Sequence, residues 1–165
     1  MISTTQLFLE ELNRESVATR KILERIPVDR AGWQPHEKSF AVGDLAKHVA
    51  EIPGWVELMI TADVLDFATM NYTPPVIHNS KDLLELFDKN LKIAQQQLRL
   101  ADESNYNDSW TMRNGEMVYF TLPRHEVIRT WVLNHIVHHR AQLSVYLRLM
   151  EIPVPGIYGP SADEM

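Results

Sequence analysis

Apolar residues recur every three or four positions in four long stretches of this chain, the spacing of a helix with one apolar face. In the first stretch the stripe runs from Phe8 to Ile26, and Pro27 ends it. In the last stretch it runs from Val132 to Met150. The pattern predicts four helices of about twenty residues or more, over residues 4–26, 42–62, 81–101 and 123–150.

Proline, glycine and polar residues predict where these helices begin, bend and end. Pro53 and Gly54 interrupt the second helix and predict a kink there. Ser3 or Thr4 can cap the first helix and Ser80 the third, while Pro123 suits the first turn of the fourth. Residues 153–160, rich in proline and glycine, are expected to run extended over the surface.

Asn114 and Gly115 separate two runs of β-prone residues between the third and fourth helices, which predicts a short β-hairpin-like segment. The rest of the pattern is all-α. Four helices that each have one apolar face bury those faces best as a four-helix bundle. The length of 165 residues favours a single domain over residues 1–165. The order of the helices leaves the bundle topology open.

Composition and charge exclude several classes of function. The net charge is −6 and no run of basic residues occurs, which disfavours nucleic acid or an anionic membrane as the partner. There are no cysteines, so disulfides, thiolate ligands and a cysteine nucleophile are excluded. No signal peptide and no apolar stretch long enough to cross a bilayer is evident, so we expect a cytoplasmic protein.

Three histidines fall on or beside the apolar stripes of two predicted helices. His48 lies on the second helix, and His135 and His139 lie one turn apart on the fourth. A buried imidazole needs a partner for each ring nitrogen, because an unpaired buried polar group costs about 1–3 kcal/mol. One divalent metal shared by the three rings would satisfy a nitrogen of each.

Three imidazoles suit zinc, nickel, copper or iron better than calcium or magnesium. Three protein ligands also leave positions open for water or substrate, as in a catalytic site. The stretch is not the His-Glu-x-x-His motif of zinc proteases, because Ile136 and Val137 occupy its middle and the general-base glutamate is missing. The alternative is that the histidines are solvated surface residues without a metal.

Three further residues have two interpretations each. Asp44 can accept a hydrogen bond from the His48 ring or stabilise the start of its helix. Gln142 can face the metal cavity or lie at the edge of the core. Trp131 can form the wall of a substrate pocket or pack in the core.

The remaining polar candidates are not expected to bind a metal themselves. His138 is a packing residue or supports a ligand, and Glu51 and Arg140 are surface or interhelix charges. His36, His78 and His125 are interpreted as solvated.

Several segments, in the right order, resemble the DinB family, the DinB/YfiT-like metal-dependent four-helix-bundle proteins. The segments are Trp-Gln-Pro-His-Glu-Lys-Ser at 33–39, Leu-Ala-Lys-His at 45–48, Asn-His-Ile-Val-His-His-Arg-Ala-Gln-Leu at 134–143 and the tail at 154–164. The resemblance implies a four-helix bundle with a long crossover connection, and homodimers. It also implies a metal, nickel or zinc, bound by His48, His135 and His139.

The resemblance supports two hypotheses about function. Related bundles include S-transferases that use low-molecular-weight thiols and a maleylpyruvate isomerase that needs one. The first hypothesis is therefore a metal-dependent enzyme that activates a small thiol for transfer to an electrophile. The second is a non-catalytic metal-binding or stress-related interaction module, which predicts a filled coordination shell.

Overall fold

The helices follow the four predicted apolar stripes, and two of the four are divided into shorter pieces. The structure is a computed structural model that describes residues 2–165, and it is mostly helical. Its helices are α1 (Thr4–Leu23), α2 (Val42–Glu51), α3 (Trp55–Thr61), α4 (Ser80–Leu100), α5 (Arg124–Ile128) and α6 (His135–Leu149). Its strands are β1 (Val64–Asp66), β2 (Ser109–Asn114) and β3 (Met117–Pro123).

Polar side chains begin the two longest helices. The Ser3 hydroxyl accepts a hydrogen bond from the Gln6 backbone N–H at 3.2 Å, so the predicted cap of α1 is confirmed. The predicted cap of α4 is wrong. Asn79, one residue earlier than Ser80, accepts from the Asp82 backbone N–H at 3.0 Å, and Ser80 is the first helical residue.

The predicted kink in the second helical segment is confirmed. A single 3₁₀ turn, Ile52–Gly54, separates α2 from α3. Pro53 has no backbone N–H to continue the α-helical ladder, which accounts for the change of winding. At the same point Asn90 of α4 donates its side-chain amide to the carbonyl of Ala50 at 2.9 Å, which fixes α4 against the bend.

The fourth segment is more divided than the sequence predicts. Pro123 ends β3 and precedes the helix instead of occupying its first turn. Between α5 and α6 the chain forms a π-helix, Arg129–Asn134, which was not predicted. Such wide turns are rare and often lie at functional sites. This one leads directly into His135, the first residue of α6.

The predicted hairpin is confirmed as the antiparallel pair β2–β3, and Gly115 adopts the positive φ of 59° that its turn needs. The strand β1 was not predicted. It pairs in parallel with β2, from Val64 opposite Thr111 to Asp66 opposite Arg113. The sheet therefore has the order β1-β2-β3.

Packing of the helices creates two clusters of buried apolar residues. Helices α1 and α2 each pack against both α4 and α6. The first cluster includes Ile52, Val56, Met59, Trp110, Val132, Leu133 and Ile136. The second includes Ile22, Leu45, Val49, Phe87, Leu143 and Leu147. Within residues 2–165, no helix has the length and apolar character needed to span a membrane.

Candidate metal centre

The three histidines of the sequence analysis converge between α2 and α6. One ring nitrogen of each lies within 4.8 Å of one ring nitrogen of the others. The Nε2 atoms of His48 and His135 are 3.4 Å apart, and those of His135 and His139 are 2.7 Å apart. The sequence separation of 87 residues between His48 and His135 is closed by the packing of α2 on α6.

The sequence order explains why these side chains meet at the junction of the two apolar clusters. On α2, His48 follows Leu45 of the second cluster and precedes Ile52 of the first. On α6, His139 lies between Ile136 of the first cluster and Leu143 of the second. Each histidine therefore occupies a core-facing position, and His139 is 8% exposed.

Two carbonyl oxygens fix which nitrogen of the α6 histidines carries the proton. The Nδ1 of His139 lies 2.6 Å from Oε1 of Gln142, and the Nδ1 of His135 lies 3.3 Å from the backbone carbonyl oxygen of Trp131. A carbonyl oxygen only accepts, so both Nδ1 atoms are the donors. In the neutral rings both Nε2 atoms then present lone pairs to the centre of the cluster.

Burial keeps the rings neutral. Burial, and secondly the charge of His139, lowers the pKa of His48 to about 4. Burial, then His139 and His48, lowers the pKa of His135 to about 4 as well, against an opposite effect of its bond to Trp131. Burial also lowers the pKa of His139, an effect that Gln142 partly offsets. At neutral pH the three rings are therefore uncharged, and each has one nitrogen lone pair available to bind a metal.

The donor set fits a divalent transition metal. Zinc binds imidazole nitrogen at about 2.0–2.1 Å, so two ligands of a tetrahedral site are about 3.3 Å apart. The 3.4 Å between His48 and His135 matches that spacing, and the 2.7 Å between His135 and His139 is shorter. Within residues 2–165 the group includes no fourth histidine, cysteine, aspartate or glutamate. The cluster therefore has the character of a metal site with three protein ligands.

Aromatic side chains surround the cluster. Phe40 lies parallel to the His48 ring, with ring centroids 6.2 Å apart, and Trp55 meets the same ring edge-on at 5.3 Å. Trp55 also lies 5.4 Å from His135. Neither Trp55 nor Phe40 is among the site residues predicted from the sequence.

A surface pocket of about 250 Å³ lies beside His135. Trp131 forms part of its wall, and its indole is held against Phe120 with ring centroids 4.1 Å apart. The pocket is lined by Thr130, Trp131, Asn134, His135 and His138. Trp131 is half-buried at this pocket, so the structure places it in a pocket wall as well as against core residues.

Gln142 and Asp44, the other two residues with two interpretations, differ in whether they contact the cluster. Gln142 reaches His139 and accepts its Nδ1 proton, so it faces the cluster. Asp44 is largely exposed in the first turn of α2, with its carboxylate 3.2 Å from Nζ of Lys47. Within residues 2–165 the Asp44 carboxylate is hydrogen-bonded to Lys47 and not to His48, and its place in the first turn of α2 agrees with the helix-start interpretation.

The remaining charged and histidine residues mostly lie away from the cluster. His36 and His78 are exposed as expected, but His125 is half-buried and its Nδ1 lies 2.9 Å from the carbonyl oxygen of Tyr106. Arg140 is a buried interhelix charge paired with Glu15 of α1 at 2.7 Å. The exposed His138 packs its ring 4.8 Å from that of His139, at the edge of the cluster.

Comparison with known proteins identifies the family. The family model described as the DinB family matches residues 1–165. The chain belongs to the DinB family. The resemblance seen in the sequence is therefore confirmed.

The individual proteins that match this chain are distant from it in sequence. The chain is 24% identical to the uncharacterized protein YrdA of Bacillus subtilis (strain 168), over 99% of this chain and 93% of YrdA. It resembles the crystal structure of the DinB-like protein YjoA of Bacillus subtilis with a TM-score of 0.69 and 16% identity, covering 92% of this chain and 96% of that one. A DinB family structure from Exiguobacterium sibiricum gives a TM-score of 0.70 and 22% identity, covering 100% and 99%. These likenesses show a shared fold.

Proposed function

We propose that this DinB family protein is a metal-dependent enzyme whose divalent metal, zinc or nickel, is held by His48, His135 and His139. The observation that carries the proposal is the convergence of Nε2 lone pairs. The Gln142 side chain and the Trp131 carbonyl accept hydrogen bonds from Nδ1 of the α6 histidines. The Nε2 atoms of His135 and His139 are 2.7 Å apart. Two lone pairs in such close opposition repel each other, and a cation between them removes that cost.

We propose further that the enzyme activates a low-molecular-weight thiol for transfer to an electrophile. A divalent cation at this site would act as a Lewis acid that lowers the pKa of a thiol bound to it. In the transfer, the thiol gives its proton to solvent, its sulfur forms a bond to the electrophilic carbon, and the leaving group departs with the bonding electron pair. The chain has no cysteine, so the sulfur nucleophile comes from the substrate.

The residues around the cluster have separate roles in this proposal. Gln142 and the backbone of Trp131 hold two imidazoles in the tautomer that presents Nε2. Trp55 covers His48 and His135 and limits the access of water. Trp131, packed against Phe120, provides an apolar wall for the electrophile next to His135.

The three-donor cluster favours an enzyme over a non-catalytic metal-binding module. A structural zinc site is closed by four protein ligands, whereas a catalytic site keeps a position for substrate. The group in residues 2–165 has three protein donors. This observation supports the catalytic hypothesis.

The proposal is tested by turnover with defined metal content. Protein purified without a histidine tag is stripped with a chelator, reloaded with zinc or nickel, and assayed with a panel of small thiols and 1-chloro-2,4-dinitrobenzene as electrophile. We expect conjugation that depends on the metal and is abolished in His139→Ala. Absence of turnover by the metal-containing protein across the whole panel would exclude thiol transfer to this electrophile, and a failure to bind metal would exclude the metal site.

A further inference from the structure

Phe40 presents an exposed aromatic ring beside the histidine cluster. The residue is 57% exposed, although large apolar side chains are more often buried. Its ring is nearly parallel to that of His48, with an interplanar angle of 14°. Trp55 meets the same imidazole at 66°. The His48 ring is thus contacted by one aromatic side chain that is half-buried and one that is largely open to solvent.

The backbone around Phe40 is held firmly. Past it, Val42 donates its N–H to the carbonyl of Trp33 at 2.8 Å, and Gly43 donates to the carbonyl of Ala31 at 2.9 Å. A Cβ at Gly43 would lie 2.6 Å from the Ala31 Cβ, so only glycine allows this close approach. The backbone that carries Phe40 is therefore already ordered before any ligand arrives, and a ligand that contacts the ring pays little ordering entropy.

We propose that Phe40 is a specificity-determining residue, which selects a substrate with a flat apolar group next to its metal-binding atom. The inference rests on the proposed metal site and deepens it by naming the class of ligand. The exposed ring offers a planar apolar surface and no hydrogen-bonding group. A substrate whose reacting atom lies at the cluster and whose neighbouring group is aromatic would cover this surface. A small polar substrate would leave it in water.

Phe40→Ala tests the inference through equilibrium binding, without relying on turnover. Zinc-containing protein is titrated by calorimetry with phenylmethanethiol and with 2-mercaptoethanol, two alkyl thiols that differ in the aromatic group. Because an aromatic contact contributes about 0.5–1.5 kcal/mol beyond burial and 1.4 kcal/mol is tenfold, we expect wild type to prefer phenylmethanethiol by about tenfold. In Phe40→Ala the preference should fall to about twofold, with unchanged zinc content and unchanged affinity for 2-mercaptoethanol.

Phe67→Ala is the matched control. Phe67 is also an exposed aromatic residue, at 43%, but its ring packs against Tyr119 of the sheet at 6.2 Å. Its substitution should leave the preference at the wild-type value. A preference that survives in Phe40→Ala, or that Phe67→Ala reduces equally, would overturn the proposal. Loss of zinc from Phe40→Ala would also overturn it, because the ring would then protect His48 instead of selecting a ligand.

A second pair of probes separates this proposal from thiol activation. 1-Benzylimidazole and 1-methylimidazole bind an open metal position through nitrogen and also differ in a flat apolar group. If neither thiol binds but the imidazoles show a preference that depends on Phe40, thiol activation fails and the assignment of Phe40 stands. If both thiols bind without preference, the assignment of Phe40 fails and thiol activation stands.

Discussion

The Nε2 atoms of His135 and His139 lie 2.7 Å apart, and neither carries a proton that could join them. Their Nδ1 atoms donate to the Trp131 carbonyl and to Gln142, and burial favours the neutral form of both rings. Two neutral acceptors at this distance have no hydrogen bond between them. A metal cation would supply a positive partner for both nitrogens, so the arrangement is that of a set of candidate metal ligands and not of a hydrogen-bonded pair.

Removal of one ligand should release the metal. In His139→Ala we expect the metal affinity to fall by more than about tenfold, since even partners that only orient a ligand cost 10–100-fold when removed. Elemental analysis of protein purified without a histidine tag measures the change.

His138→Ala is the control for that experiment. His138 is the adjacent residue on the same helix, is exposed, and lies outside the three-donor group. Its metal content should equal that of wild type. Equal metal content in His139→Ala and wild type would refute the assignment of the ligands.

Gln142 should act on the metal through the His139 tautomer. In Gln142→Leu the Nδ1 of His139 loses its acceptor, so the proton is free to move to the nitrogen that faces the cluster. We expect metal affinity to fall by about 10–100-fold, measured by competition with a fluorescent chelator. Gln142→Glu keeps an acceptor oxygen at the same position and should retain tight binding. Similar losses in both variants would point to packing as the role of Gln142.

The metal-free protein should lose stability as the pH falls from about 6.5 towards 5. The pKa of His48 and of His135 is about 4 in the folded protein, below the ordinary value of 6.5. The unfolded chain therefore binds more protons than the folded chain between these pH values, and its population rises. Above pH 6.5 the two rings contribute no pH dependence.

Urea unfolding of chelator-treated protein between pH 7.5 and 5.0 measures this effect above the range in which carboxylates titrate. The double variant with His48→Gln and His135→Gln should give a flatter profile. A wild-type urea midpoint that does not change over this range would contradict the prediction.

The buried ion pair between Glu15 and Arg140 should contribute to stability and not to metal binding. Their atoms are 2.7 Å apart, and the Tyr158 hydroxyl donates to Glu15 at 2.6 Å. Glu15→Ala leaves Arg140 buried without a counter-charge, which costs about 3–5 kcal/mol of the free energy of unfolding. Tyr158→Phe removes the hydroxyl that donates to Glu15 and accepts from Arg140, at a cost of about 1.5–3 kcal/mol.

Chemical denaturation of both variants, with the metal content measured in parallel, checks these values. Glu85→Ala is the control. Glu85 pairs with Lys81 across an exposed helix surface at 3.5 Å, and its loss should change stability by less than about 1 kcal/mol. A large loss of metal in Glu15→Ala at temperatures where the protein is folded would contradict the separation of the two roles.

The sequence predicts much of the fold because its strongest signals are local. The apolar stripes predicted for the first and third helices become the buried faces of α1 and α4. Pro53 breaks the α-helical hydrogen-bond ladder where the sequence predicts a kink. The Asn-Gly pair at 114–115 predicts the hairpin through the backbone conformation that Gly115 adopts.

Other features depend on tertiary contacts that a local pattern does not contain. Strand β1 has three residues, and it forms only because β2, far along the chain, pairs with it. The convergence of His48 with the α6 histidines could be predicted from their apolar positions, but Phe40 could not, since a turn and not a helix brings its ring to His48. The positions of the ligands are thus easier to infer than the surface that surrounds them.

The π-helical turn at Arg129–Asn134 can absorb a change of one residue in chain length next to the site. Its N–H groups reach carbonyls five residues back instead of four, so the segment contains one residue more than an α-helical turn would hold. Loss of one codon there would therefore close the segment to an ordinary α-helical turn, and α5 and α6 would keep their relative orientation. A one-residue deletion in this turn should therefore disturb the site less than the same deletion within α6, where it would rotate one part of the helix by roughly 100° relative to the other.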